Sequence, residues 1–294
     1  MPYIPTILIL ALLSLTDERP DSNPLYHELR TQGLSVGTEK LVLPEPSLPD
    51  GQPAEAGLAA LRDVAGGDRP AREMLRDSVT APFILKTRDV KTEDAIIRVA
   101  DLWFVVHARL EDVDLDSAAR AGDQKAIEAG NMRFESRILT DPDLRERGIK
   151  PLDPLEGRSE WFTHLTGRLL DRIEVVATDR VVATRTPESL LVAARTEPAF
   201  SGEGATSNHW RTLAKKGNDE IEGPIHPYTG AISYVKVTRL VSEPGVLFVE
   251  AHFAFVEPRD WFQGNPILRS KISLIAQDQI RQLRRELQKS QSRE

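Results

Sequence analysis

A long alternation of apolar and mixed residues constrains the fold of this chain more than any other sequence feature. In the stretch from Ala95 to Leu110, one parity carries only apolar side chains from residue 100 onward, namely Ala100, Leu102, Phe104, Val106, Ala108 and Leu110. The other parity includes Asp101, His107 and Arg109. Successive side chains of a strand point to opposite faces of a sheet. The pattern therefore predicts a long antiparallel strand with one apolar and one mixed face.

Further strand-like stretches follow, and they predict a meander with a final hairpin. These stretches are Leu165–Thr178, Val181–Thr186, Leu190–Thr196, Ala231–Val241 and Val246–Glu257. The repeated letters VVAT on both sides of Asp179-Arg180 indicate a hairpin with these two residues as its turn, although Asp-Arg is not a favoured turn pair.

The longer stretches of helical periodicity lie towards the two ends of the chain. Asn23-Pro24 suits the start of a helix that runs to Gln32, and residues 52–65 and 70–79 each carry one apolar face. A last helix is predicted over 266–289, with Ile272 and Ile275 expected to be buried against the strand 246–257. Its basic end is expected to complement the helix dipole.

These elements predict an α+β fold: an antiparallel sheet with N-terminal helices and a long C-terminal helix packed on one face. A partly closed β-barrel is the alternative. We divide the chain into a signal peptide (1–16), a helical N-terminal region (17–80) and a sheet domain (81–294).

The apolar run Ile4–Leu15 is too short for a membrane span and suits the central region of a signal peptide. Ser14 and Thr16 could precede a cut at Asp17, although no Lys or Arg precedes the run. We therefore expect an exported protein, periplasmic or extracellular, with no membrane span after removal of the leader. The alternative is a buried N-terminal element in a cytoplasmic protein.

Composition excludes several classes of function. The 294 residues include no cysteine, which rules out disulfides, thiolate metal sites and cysteine nucleophiles. The formal charge of −7 argues against a nucleic-acid partner. No P-loop, dinucleotide fingerprint or zinc-protease motif occurs, so no cofactor and no metal are predicted.

Two short motifs resemble functional ones but lack the required context. Residues 33–37 read GLSVG, yet a helix precedes Ser35 and a strand follows it, the reverse of a hydrolase nucleophile turn. Asp112, Asp114 and Asp116 alternate as in a calcium loop, but Ser117 and Asp123 replace the Gly and Glu that such a loop needs.

Histidines supply the only candidates for catalysis. Each of three strands carries a histidine at mixed-face parity, and each also carries a carboxylate there; the candidates are His107, His164, His252 and Glu250. The segment 198–230 is predicted as a long loop with one short helix over Asn208–Lys216, and such a loop is often functional. Its candidates for ligand contact are His209, Trp210, His226 and Tyr228.

Two functions are compatible with these residues. The first is a non-enzymatic binding or structural module, favoured because motifs for catalysis are absent. The second is a hydrolase or lyase that uses the His- and carboxylate-bearing sheet face under the 198–230 loop, with or without a metal. Convergence of the three strand histidines within hydrogen-bond or metal-ligand distance would distinguish the two.

Overall fold

The computed structural model describes residues 23–113, 127–129, 131–217, 219–263 and 265–291. The predicted signal peptide lies outside these ranges, as do Asp114 and Asp116 of the acidic stretch. In the described part of the chain the α-helices are α1 (Pro24–Thr31), α2 (Ala54–Ala65), α3 (Asp68–Met74), α4 (Asp141–Glu146), α5 (Arg259–Phe262) and α6 (Ile267–Gln291). None of these helices is both long enough and apolar enough to cross a membrane.

The strands confirm the predicted α+β class. They are β1 (Leu34–Val36), β2 (Glu39–Leu41), β3 (Ile84–Lys91), β4 (Ala95–His107), β5 (Ile127–Ala129), β6 (Met132–Ile138), β7 (Arg158–Leu169), β8 (Ile173–Arg185), β9 (Ser189–Thr196), β10 (His209–Lys216), β11 (Asp219–Glu222), β12 (His226–Pro227), β13 (Ala231–Arg239) and β14 (Val246–Pro258). The first two form a separate hairpin, so Ser35 lies in a strand and not on a strand-to-helix turn.

One large antiparallel sheet contains the remaining strands. Its order is β3-β4-β14-β13-β9-β8-β7-β6-β5, and β10 pairs with β8 while also pairing with β11 and β12. No pairing between β3 and β5 occurs among the described residues, and the sheet is not closed into a barrel. The partly closed barrel is therefore not the fold that this chain adopts.

The two faces of the sheet are covered by different helices. The face that carries Leu102, Phe104 and Val106 of β4 packs against α6, and we call it the α6 face. The opposite face is covered by α1, whose Leu25 and Leu29 are buried, and by α2 and α3; we call it the α1 face. Because both faces are covered, the mixed parity of β4 is largely buried as well.

The start of α1 follows the predicted capping. The Asn23 side chain accepts a hydrogen bond from the backbone N–H of Tyr26 at 2.9 Å, and Pro24 occupies the first turn. Gly33 follows with φ of 62°, a left-handed conformation in which a side chain would meet the Leu41 carbonyl. The chain therefore turns directly after Gln32, the predicted end of this helix.

The predicted turn at Asp179-Arg180 is wrong. β8 runs without a break from Ile173 to Arg185, and the turn before it lies at Leu170 and Asp171, which have φ of 55° and 53°. Hydrogen bonding to β7 on one side and β9 on the other holds Asp179 and Arg180 extended. Their polar side chains find partners on neighbouring strands, which local sequence does not reveal.

The segment 198–230 also differs from its prediction. The expected helix over Asn208–Lys216 is strand β10, which pairs with residues 173–176 of β8. β9 pairs with β8 only from Asp179 onward. The edge of β8 before Asp179 is therefore open to another strand. An unpaired strand edge inside the fold decides the conformation here and overrides local helix propensity.

The C-terminal helix leaves part of the sheet uncovered. Leu268, Ala276, Ile280, Leu283 and Leu287 of α6 are buried as a stripe. Ile272 and Ile275, expected to be buried against the strand 246–257, are only half-buried. Both residues line a cavity between α6 and the sheet.

Candidate ligand-binding cavity

The cavity lies between the α6 face of the sheet and the N-terminal half of α6. Its volume is about 310 Å³, within the range of roughly 300–1,000 Å³ that is usual for small-molecule sites. Strands β6 to β9, β13 and β14 provide the floor, and residues such as Leu268, Ile272 and Ile275 provide the roof. The lining is predominantly apolar, so the space suits an apolar molecule.

Small side chains in the floor account for the space. Ala177, Ala194 and Ser233 lie on three different strands of the α6 face and line the cavity. Ala194 and Ser233 are direct cross-strand neighbours. Where β4 instead presents Phe104, the same face packs against the C-terminal half of α6. The side-chain volume of the floor thus decides where α6 contacts the sheet.

The start of α6 is held in place by contacts of Arg98, a residue outside the cavity lining. Arg98 on β4 is buried and donates hydrogen bonds to Glu257 at 2.6 Å and 2.9 Å and to Asp89 at 2.8 Å. Its guanidinium also contacts the backbone carbonyl of Asn265 at 3.4 Å, just before α6. A buried charged cluster of this kind fixes the N-terminal end of α6. This end therefore keeps its distance from the sheet without apolar packing beneath Ile272 and Ile275.

One carboxyl group faces the cavity. Thr163, Asp179 and Thr196 are direct neighbours on β7, β8 and β9. The Thr196 hydroxyl donates to Asp179 Oδ1 at 2.8 Å and accepts a hydrogen bond from the Ala231 N–H at 2.9 Å. Burial raises the pKa of Asp179 to about 6, and the Thr196 hydrogen bond opposes this rise only in part. Sequence reasoning missed this residue because Asp179 was assigned to a turn.

Several polar atoms at the cavity lack a hydrogen-bond partner. Among the described residues no partner exists for Thr163 Oγ1, Trp261 Nε1 or Gln279 Oε1, and all three side chains are buried. All three residues line the cavity. Native proteins rarely leave buried polar atoms unpaired, so the wall of the cavity is not fully hydrogen-bonded.

Aromatic rings form a group at the cavity, and three of the predicted loop candidates belong to it. Tyr228 stacks on Trp261 with ring centroids 5.7 Å apart, and Trp210 meets Trp261 edge-on at 6.1 Å. His226 stacks on Trp210 at 4.5 Å. Burial, and to a smaller extent Asp179, raises the pKa of Tyr228, so its phenol is neutral at physiological pH.

The fourth loop candidate, His209, lies elsewhere. Its ring Nδ1 is 2.8 Å from the Ser207 carbonyl. His209 pairs with Val176 on β8 and is adjacent to Trp210 in the strand, so the two side chains point to opposite faces of the sheet. His209 therefore faces the α1 side of the sheet. The 198–230 segment does not form the expected cover over the histidine-bearing face; three of its four candidates lie around Trp261.

The three strand histidines share the α1 face but do not converge. His107 contacts the Leu75 carbonyl at 3.0 Å, and His164 contacts the Thr178 hydroxyl at 3.0 Å. His164 and His252 are four strand spacings apart, roughly 19 Å. His107 lies opposite Val246, six residues along β14 from His252 or roughly 20 Å. No group of metal-ligating side chains occurs in the described ranges.

Each histidine has a distinct local environment. Burial lowers the pKa of His164 to about 4, with Arg137 and His209 adding to the effect, so this imidazole is neutral. For His252, burial disfavours the charged form, but the hydrogen bond to Asp101 and the nearby Glu250 carboxylate more than offset this effect and raise the pKa. The sheet therefore presents no common acid–base unit across its three histidines.

His252 belongs to a buried network that holds the segment 44–50. Its Nδ1 is 2.7 Å from Asp101 Oδ1, and its Nε2 is 3.7 Å from Glu250 Oε2. Glu250 accepts a hydrogen bond from the Ser47 N–H at 2.7 Å. Both His252 and Glu250 are fully buried. In this conformation the network joins the 44–50 segment to the sheet and leaves no room for a substrate.

The signal for the cavity was present in the sequence but could not be interpreted alone. Asp179 interrupts an apolar parity that runs from Val175 through Ala177 to Val181. Thr163 and Thr196 lie beside it on the neighbouring strands, but this is visible only when the register is known.

No known protein family matches the chain, and no significantly similar curated protein was found.

Proposed function

We propose that the protein is a binding module that holds an apolar small molecule in the cavity between α6 and the sheet. The observation that carries this proposal is a cavity of about 310 Å³ with an apolar lining and a few convergent polar groups. Such a combination is typical of small-molecule sites.

The energetics of an unfilled cavity support the proposal. Side chains that border an unfilled space lose packing contacts, which is unfavourable. Larger side chains at Ala177 or Ala194 would fill it at no cost to strand formation, because β-branched and aromatic residues favour strands. Retained space with unpaired polar atoms at its wall is consistent with selection for a ligand.

A cavity-filling variant tests the proposal. Ala194 lines the cavity and its side chain is not fully buried, so Ala194→Phe places a ring in the ligand space. We expect the wild-type protein to bind the uncharged dye Nile red with a blue-shifted fluorescence that decanol displaces, and Ala194→Phe to lose this binding. The measurement is a fluorescence titration at constant protein concentration.

The control variant is Ala199→Phe, which adds the same ring at an exposed position. It should bind the dye as the wild type does. Equal dye binding by wild type and Ala194→Phe, with both proteins folded by near-UV circular dichroism, would contradict the assignment of the cavity as the site.

A hydrolase or lyase that uses the histidine-bearing face is the second candidate. The hydrogen bond between Asp101 and His252 favours it, since a carboxylate in this position orients an imidazole as a general base. The catalytic group would then be His252, and the 44–50 segment would have to move to admit a substrate. An ester hydrolysis by the wild type that His252→Gln abolishes, with dye binding retained, would favour this candidate over simple binding.

We also propose that the protein acts outside the cytoplasm. The apolar run Ile4–Leu15, followed by the polar stretch that begins at Asp17, supports export. The absence of cysteine is compatible with this location and does not require it.

A further inference from the structure

We propose that the ligand is a hydrophobic cation: an amine whose ammonium group binds at Asp179 and whose apolar body fills the cavity. This inference rests on the proposed function, because it assigns a ligand class to the same cavity. It is carried by the charge, the unpaired acceptors and the aromatic rings at the cavity wall.

The charge of the lining favours a cation. Asp179 is the only acidic residue among the described residues that line the cavity, and no Lys, Arg or His is among them. The neighbouring cation, Arg180, points to the opposite face, where it donates to Glu160 at 2.6 Å. A carboxylate without a counter-ion in an apolar space is costly, and a ligand cation offsets that cost with a charge-assisted hydrogen bond.

The polar side chains that neighbour Asp179 or share its cavity are compatible with this charge. On the adjacent strands the neighbours are Thr163 and Thr196, and Tyr228 is close enough for Asp179 to influence its ionisation. From α6, Gln279 contributes an amide to the same cavity. None of these groups neutralises a carboxylate, so a ligand would supply the positive charge.

The unpaired acceptors suit an ammonium group. An ammonium has three donors and no acceptor. Besides Asp179, two residues that line the cavity carry an acceptor without a hydrogen-bond partner in the described part of the chain, Gln279 Oε1 and Thr163 Oγ1. A ligand carboxylate would find hydrogen-bond donors on Thr163, Ser233 and Gln279, but no cation among the described lining residues, and Asp179 would repel it.

Aromatic rings add a second cation-binding element. Tyr228 and Trp261 are stacked and both line the cavity. An aromatic face attracts a cation within about 6 Å of the ring centroid, with Trp the most effective residue. A carboxylate together with Trp and Tyr rings is a combination that recognises substituted ammonium groups.

A matched series of ligands tests the inference without changing the protein. Decylamine, decanol and decanoic acid have the same apolar chain and differ only in the head group. We expect decylamine to bind the full-length protein at pH 7.5 about tenfold or more tightly than decanol, because the ammonium group forms a charge-assisted hydrogen bond with Asp179 and the hydroxyl group does not. Decanoic acid should bind most weakly. Isothermal titration calorimetry below the critical micelle concentration measures the three affinities.

Variants then assign the preference to Asp179. Asp179→Asn should bind decylamine and decanol with similar affinity, because the charge is removed and the shape is kept. Asp171→Asn removes an equivalent carboxylate from the exposed turn before β8, where φ of 53° suits Asn, and should keep the wild-type preference. Retention of decanol binding by Asp179→Asn shows that the variant is folded.

The outcomes separate the two proposals. Equal binding of decylamine and decanol, or tightest binding of decanoic acid, overturns the cation inference and leaves the apolar binding function in place. Failure of all three compounds to bind the wild-type protein overturns both. A decylamine preference that persists in Asp179→Asn would also overturn the inference, since the charge would then lie elsewhere.

Discussion

Asp179 is the residue that gives the cavity its chemical character. It occupies the middle of β8, hydrogen-bonded to Thr196 and flanked by apolar side chains on its own face. Strand residues in such an environment are normally apolar, because a buried charge is costly unless paired. A perturbed carboxyl in a cavity is therefore a marker of a functional site.

The raised pKa of Asp179 predicts a specific pH dependence of stability. Between the ordinary pKa of 3.8 and the folded-state value of about 6, the folded protein binds more protons than the unfolded chain. The free energy of unfolding therefore falls as pH rises through this window. Asp179→Asn removes the titration, so we expect the variant to be more stable than wild type by about 1–3 kcal/mol at pH 7.5 and equal to it near pH 3.5.

Urea unfolding of both proteins from pH 3.5 to 7.5, without added ligand, measures this difference. Asp171→Asn serves as the control and should follow the wild-type curve, because Asp171 is exposed. A difference between wild type and Asp179→Asn that does not change with pH would show that Asp179 is not desolvated.

At the scale of elements, α6 is attached to the sheet by its C-terminal half. Ile280, Leu283 and Leu287 are buried against the sheet, whereas Ile272 and Ile275 line the cavity. The basic end of this helix does more than complement the dipole. Arg284 is buried and donates a hydrogen bond to the Val105 carbonyl at 3.0 Å, and its Nη1 also donates to Ala81 and Val79 carbonyls.

Loss of the Arg284 guanidinium should therefore destabilise the protein. Burial lowers the pKa of Arg284 to about 10, so it is still protonated at neutral pH. Arg284→Met keeps much of the side-chain volume but leaves buried carbonyls without a donor, which we expect to cost about 2–4 kcal/mol in the free energy of unfolding. Thermal and urea denaturation at pH 7.5 measure the change.

Arg285→Met is the matched control, because the adjacent arginine is exposed. It should change stability by less than about 0.5 kcal/mol, as is usual for surface substitutions. If Arg284→Met is as stable as Arg285→Met, the contacts of Arg284 with the carbonyls contribute nothing, and α6 is held by its apolar stripe alone.

At the scale of the whole molecule, the sheet separates two buried regions with different roles. The α1 face is closed by α1 and the 44–50 segment over the Asp101–His252–Glu250 network. The α6 face contains the cavity. A ligand in the cavity would therefore contact α6 and the sheet without disturbing the network on the other side.

Export is the prediction that concerns the chain as a whole. We expect protein isolated from its native host to begin close to Asp17, because the apolar run before it has the length of a cleaved leader. Intact-mass spectrometry of periplasmic, extracellular and cytosolic fractions measures this. Protein that retains Met1 or Pro2 in the cytosolic fraction would exclude export.

Local sequence determined the parts of the fold that depend on near neighbours. The alternation around β4, the cap at Asn23 and the long C-terminal helix follow from side-chain period and backbone chemistry, and all three were predicted. These features need no knowledge of which strands are neighbours. Strand parity placed each histidine on the mixed side of its own strand, but only strand pairing put the three on one face.

Tertiary structure alone decided the site. Asp179 resembled a turn residue until pairing with β7 and β9 placed it between Thr163 and Thr196. The segment over Asn208–Lys216 became a strand because β8 had an open edge. The cavity exists because small side chains from different strands meet beneath α6. Strand order and register arise from long-range hydrogen bonding and packing, and a single sequence carries no local signal for either.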